Sequence, residues 1–150
     1  MTWKNEKKSK ALLVVFGIYL ALLAWCILFK FALRPEEIPH LRGINLIPYA
    51  ASVVVNGKVQ ISEIIENMLV FLPFGLCISA FYPDSEIQNR ILLASGLSLF
   101  FEVTQYIFAI GASDITDVID NTLGAVIGIL LYLGMKKIWK ENPCEKYREG

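Results

Sequence analysis

Four apolar runs, each about twenty residues long, constrain this chain more than any other feature. A bilayer's hydrocarbon core is about 30 Å thick and takes roughly 20 helical residues at about 1.5 Å each. Residues 11–33, 61–82, 91–110 and 115–135 all meet that length. Only short connections are left among the 150 residues, with no room between the runs for a separate soluble domain. The expected fold class is therefore all-α: an integral membrane bundle of four transmembrane helices forming a single domain over residues 1–150. A hydrophobic share of 55% against 19% charged agrees with it.

Charge placement sets the expected orientation, because short cytoplasmic flanks carry the excess of Lys and Arg. Ten of these residues fall on one side: Lys4, Lys7, Lys8 and Lys10, Arg90 in the short second loop, and Lys136, Lys137, Lys140, Lys146 and Arg148. Lys30, Arg34, Arg42 and Lys58 fall on the other. The expectation is N-in and C-in, with cytoplasmic tails 1–10 and 136–150. An external loop, Arg34 to Gln60, joins helices 1 and 2, and a tight Gly111 to Asp114 turn is also outside. Lys plus Arg equal Asp plus Glu at 14 each, so no basic excess is available for a nucleic-acid backbone, and that class of partner is not expected.

The first run follows four lysines as a signal peptide would, but it is too long and lacks an Ala-x-Ala site, so it reads as an anchor. Leu23-Ala24-Trp25-Cys26 places Trp25 where a lipoprotein cleavage box needs a small residue, and lipidation is not expected. Cys26, Cys77 and Cys144 are too scattered for a disulfide framework or a zinc cluster. There is no Gly-rich phosphate loop, paired-His helix or Ser elbow, hence no recognised catalytic motif. In the outer loop, Asn56-Gly57 between Val53-Val54-Val55 and Lys58-Val59 suits a hairpin with a type I′ turn. An interfacial helix over Ala50 to Val55 fits equally well, and His40 reads as a solvated loop residue.

The spans carry polar groups that a membrane helix does not need: Glu63, Glu66 and Asn67; Glu102 and Gln105; Asp117, Asp120 and Asn121. A charged carboxylate near a helix centre costs about 2.5 to 3.5 kcal/mol on insertion scales, against about 0.3 to 0.6 returned by each large aliphatic residue or Phe. With the orientation above, Glu66, Asn67, Gln105, Asp117 and Asn121 lie roughly 3 to 9 Å below the outer ends, and Glu102 roughly 12 Å. Asp114, Asp117, Asn121, Gly124 and Gly128 follow one another at spacings of 3, 4, 3 and 4, one stripe along the fourth helix. Asn67, Glu102, Gln105, Asp114, Asp117 and Asn121 are accordingly the candidate binding residues at the outer leaflet.

Glu102 and Asp117 are the catalytic candidates. Glu102, Asp114 and Asp117 are the candidate ligands for a hard divalent cation such as Mg²⁺, Ca²⁺ or Mn²⁺, the one cofactor the residues suggest. A proton relay is a further use of the same acids. The bland alternative makes the amides interhelical glue, with the acids protonated or paired to Lys30 or Arg34. Gly124-x-x-x-Gly128 permits close helix approach within the chain, and Gly17 with Ala21 is a weaker small-residue pair. Pro73 should kink or loosen the second helix near Leu69.

The motifs Asn45-Leu46-Ile47-Pro48-Tyr49, Asn67 with Phe71-Leu72-Pro73-Phe74-Gly75, Glu102-Val103-Thr104-Gln105, and Asp114 to Asp117 with Asn121-Thr122-Leu123-Gly124 and Gly128 occur in this order. Together they resemble the VanZ-like membrane family, found in bacteria and named for a protein associated with resistance to the glycopeptide teicoplanin. The resemblance covers about three-fifths of the chain. It implies a multi-pass protein of the bacterial cell membrane, with Pro48, Pro73, Gly75, Gly124 and Gly128 as structural positions. The implied partners are the lipid bilayer and a lipid-linked envelope precursor or a glycopeptide.

The sequence departs from the family pattern at Ala112-Ser113, where a basic residue is common, at Thr116, where an acid is common, and at Asp120, usually apolar. Tyr49 stands where Phe is common. The leading functional expectation is a contribution to teicoplanin resistance or cell-envelope chemistry through the outer polar site. One alternative is an intramembrane metal- or carboxylate-dependent enzyme acting on a lipid-linked substrate. The other is an ion or proton pathway formed by an oligomer.

Overall fold

The computed structural model describes residues 3–30, 34–38, 42–49, 54–55, 58–59 and 61–141. The chain forms helix α1 (Trp3–Phe29), a 3-10 turn (Pro35–Glu37) and strands β1 (Arg42–Asn45), β2 (Val54–Val55) and β3 (Lys58–Val59). Helices α2 (Ile61–Phe81) and α3 (Ile87–Phe108), strand β4 (Gly111–Asp114) and helix α4 (Ile115–Glu141) follow. The all-α class holds. α2, α3 and the Ile115–Trp139 portion of α4 are long and apolar enough to cross a membrane, and the described apolar part of α1, Leu13–Phe29, is shorter.

Packing divides the chain into two compact units, one made of Met1–Val59 with Leu99–Thr116 and the other of Gln60–Ser98 with Asp117–Gly150. In the first, β1 pairs in parallel with β4, Arg42 opposite Gly111 through Asn45 opposite Asp114. The expected tight turn after α3 is thus a strand edge. Its partner lies some 69 residues away, as the Asn45 to Asp114 pair illustrates, and nothing local in four residues announces such a pairing. β2 and β3 pair antiparallel with Val54 opposite Val59 and Val55 opposite Lys58, the register a two-residue connection gives. Asn56, Gly57, His40 and residues 50–53 lie outside the described residues; of the alternative helix over Ala50 to Val55, Val54 and Val55 are described and are strand, not helix.

The helix ends of this unit are closed by side chains. Gln105 Nε2 donates to the carbonyl of Ile27 at 2.8 Å, in the last turn of α1, where no later helical N–H can reach. Arg42 Nη2 donates to the Ile107 carbonyl at 3.1 Å in the last turn of α3, and its guanidinium lies 5.5 Å from the centre of the Tyr106 ring. In hydrocarbon an unsatisfied carbonyl is costly, and a cation is favourable at a helix C-terminus. α3 closes further with Ile110 N–H bonded to the Gln105 carbonyl and Ala109 N–H to that of Tyr106, with Ala109 at a φ of 52°. That is a Schellman ending whose left-handed position ordinarily holds glycine. Ala109→Gly should therefore raise stability by about 1 kcal/mol, read as a higher midpoint of thermal unfolding in detergent.

In the second unit α2 and α4 meet at their backbones. A Cβ on Gly124 would collide with the Met68 carbonyl, one on Gly128 with that of Leu72, and one on Gly75 with that of Ala125. This is contact within one chain. α2 is helical through Pro73, which removes one donor from its ladder. α3 begins at Ile87, so Arg90 is a helical residue and not part of the second loop where the charge count placed it. It is 3% exposed, and its Nη2 donates to the carbonyls of Pro83 and Ser85 at 3.0 and 2.6 Å, which ties down the α2–α3 connection.

Candidate functional site

The polar residues of the first unit converge on Asp114. This residue ends β4 and caps α4: its Oδ1 accepts the Thr116 N–H at 2.7 Å, the side-chain to N2 bond of an N-cap. Its Oδ2 accepts from Asn45 Nδ2 at 2.9 Å, a bond that the β1–β4 register sets up by placing the two residues opposite each other. Its own N–H donates to Glu102 Oε2 at 2.7 Å, reaching back across the α3–α4 connection. Asp114 therefore has its backbone and its carboxyl group committed to three different segments.

Asn45 is oriented from the other side, since its Oδ1 accepts the Ile47 N–H at 3.1 Å and leaves only the NH₂ to face Asp114. Pro48 precedes Tyr49, which adopts a φ of 57°, the order of a type II turn. The Tyr49 N–H donates to Thr116 Oγ1 at 3.0 Å. The Asn45 to Tyr49 motif is thus fastened to the start of α4 by two bonds, one at each end. Glu102, Gln105, Asp114 and Thr116 are all at most 2% exposed. Gln105 is occupied with the end of α1 and lies against Gly111, where a Cβ would come within 3.4 Å of its Nε2.

In the second unit Asn67 Nδ2 donates to Asp117 Oδ1 at 2.8 Å, and both are half-buried. Asn121 Nδ2 donates to Ser98 Oγ at 2.9 Å with both residues fully buried. Asp120 is buried as well, while Glu66 is exposed. The candidates named from sequence thus occur as Glu102 with Asp114 in one network, as Gln105 apart from it on the end of α1, and as Asn67 with Asp117 and Asn121 with Ser98 in two pairs. Asn45, Thr116 and Ser98 were not among the candidates. Asn45 had a signal in its motif, whereas a serine in an apolar helix has none.

Among the described residues, no three His, Cys, Asp or Glu side chains are grouped as a metal ion would require. Arg34 faces Glu37, 3.9 Å away at the exposed 3-10 turn. A pair so exposed contributes little.

The burial pattern is inverted relative to a water-soluble protein. The fully buried side chains include Gln105, Glu102, Asn121, Thr116, Asp114 and Asp120, while Leu92, Phe100, Ile107, Phe108, Leu130 and Ile138 are among many large apolar groups turned outward. With three helices able to span a bilayer, this defines a multi-pass helical membrane protein whose interior, not its surface, carries the polar chemistry.

The VanZ/LLP1 family model matches residues 16–139, and the chain belongs to that family. Among curated proteins, Protein VanZ of Enterococcus faecium is 38% identical over 120 residues, 79% of this chain and 71% of that protein. No solved structure matches.

Proposed function

We propose that the protein acts in the bacterial cell membrane, with both termini inside, and lowers susceptibility to the glycopeptide teicoplanin through the polar site at the outer leaflet. The observation that carries this reading is the Glu102–Asp114–Asn45 network, two buried acids and a half-buried amide held together where a span ends. Keeping acids inside a membrane protein is expensive, and such groups are ordinarily retained for function. The likeness to Protein VanZ of Enterococcus faecium supports the choice of antibiotic. A lipid-linked envelope precursor, which teicoplanin engages outside the cell, is the ligand class that an outer-leaflet site is placed to meet.

Expression in a susceptible Gram-positive host tests the reading. The wild-type chain should raise the inhibitory concentration of teicoplanin severalfold over an empty vector and leave that of vancomycin less changed. Glu102→Gln, which keeps an acceptor for the Asp114 N–H but removes the ionisable group, should abolish the difference while leaving the amount of protein in the membrane unaltered. No difference between wild type and empty vector would remove the resistance reading.

A further inference from the structure

The segment after β1 has an outward surface that water does not explain. Along β1 the side chains alternate, with Gly43 and Asn45 half-buried and Arg42 and Ile44 exposed. Beyond Asn45 the alternation stops, and Leu46, Ile47, Pro48 and Tyr49 are all exposed, Leu46 at 74% and Ile47 at 67%. A run of bare large aliphatic side chains on an ordered, hydrogen-bonded loop marks a surface made for contact.

Its position identifies the contact. β1 is in register with β4, which begins at Gly111, three residues after α3 ends at Phe108, so the loop stands at the level where that span ends. Arg42 joins the two surfaces directly, bonded to the Ile107 carbonyl and lying over the Tyr106 ring. On α3 itself Val103, Ile107 and Phe108 are exposed, and these are side chains of a span that lipid must cover. The apolar face of the loop therefore stands at the end of a lipid-facing helix surface, tied to it through Arg42.

We propose that the Ile44–Tyr49 segment inserts into the bilayer leaflet nearer the α3–α4 connection, with phospholipid acyl chains covering Ile44, Leu46 and Ile47. Tyr49 sits at the headgroup level, as interfacial aromatics do, and the remaining donors of Arg42 take a phospholipid phosphate. The Ile44–Tyr49 part of the connection between α1 and α2 is then a membrane-embedded wedge that holds Asn45 at the Asp114 network, and not an aqueous segment above it. The inference rests on the membrane reading and is independent of the antibiotic.

Bimane attached at Leu46→Cys and Ile47→Cys, in a full-length chain with Cys26, Cys77 and Cys144 replaced by Ala, reads the environment after reconstitution into phosphatidylcholine–phosphatidylglycerol vesicles. With lipids brominated on the acyl chains, both positions should lose emission as Val103→Cys does, and aqueous iodide should leave them bright. Glu36→Cys, on the exposed 3-10 turn, should show the reverse. Emission at positions 46 and 47 that iodide quenches and brominated lipid does not would overturn the proposal. Ile47→Trp, with Trp3, Trp25 and Trp139 changed to Phe, gives the same readout without a label and must agree.

Discussion

Gly124→Val should leave no monodisperse, helix-packed protein in detergent, while Gly96→Ala should be at least as stable as the wild type. The contrast follows from what each side chain would meet. A Cβ at Gly124 runs into the carbonyl of Met68, a backbone group of α2 that can yield only if the helices separate. Overpacking a well-packed core costs about 1 to 3 kcal/mol, and a collision with backbone lies at or beyond the top of that range. Separating α2 from α4 also strips the contacts around Gly128 and Gly75, which face Leu72 and Ala125 in the same way. Membrane helices gain most of their association from such close packing, since lipid supplies no hydrophobic drive between them. At Gly96 nothing lies within 4 Å of a new Cβ, so the substitution brings only the better helix propensity of alanine, about 1 kcal/mol. Size-exclusion profiles and thermal unfolding of the two variants check the pair, and equal behaviour would refute the α2–α4 contact.

Asp114→Ala should destabilise the protein by about 2 to 4 kcal/mol and abolish any phenotype. Two losses add: the N-cap of α4, about 1 kcal/mol, and the acceptor for Asn45 Nδ2, whose stranding costs about 1 to 3 kcal/mol. Asp114→Asn keeps the cap oxygen but can turn its NH₂ toward that of Asn45, so its loss should be intermediate. Asn45→Asp sets two carboxyl groups against each other and should be worse than Asn45→Ala, unless low pH protonates one of them. Ranking the four variants by unfolding midpoint at neutral and at acidic pH separates a network centred on Asp114 from a merely polar loop, in which they would rank alike.

The parts of this architecture legible in the sequence are those that hydropathy writes directly. α2 and α4 begin at Ile61 and Ile115, where their apolar runs begin. α3 starts four residues ahead of its run because Gln88, Asn89 and Arg90, which cut Ile87 off from that run, are compatible with helix but not with hydrocarbon, and hydropathy records only the second property. α1 and α4 likewise extend over the lysine-rich residues beyond their apolar cores. The glycine contacts were foreshadowed by spacing at Gly124 and Gly128, whereas the place of Gly75 depends on which helix packs against which.

The polar network was only half legible. Glu102 and Asp114 announce themselves as acids in or beside a span, but their link runs through a backbone N–H, which residue type does not encode. Asn45 enters because a parallel strand pair carries it across the chain, and no periodicity over four residues predicts that. Thr116 serves through an ordinary hydroxyl, accepting from a tyrosine N–H in a strained left-handed turn.

Sidedness is the premise from which the outer-leaflet site follows, and α3 gives it a simple ruler. Its 22 residues separate the two ends by about 33 Å, enough to put them on opposite faces of a bilayer. An impermeant maleimide applied to intact cells should label Ala112→Cys, beside Asp114, and leave Asp84→Cys, before α3, unreacted until the cells are broken. Labelling of position 84 in intact cells, with position 112 protected, would place the Glu102–Asp114–Asn45 network at the cytoplasmic face and contradict an action at the outer leaflet.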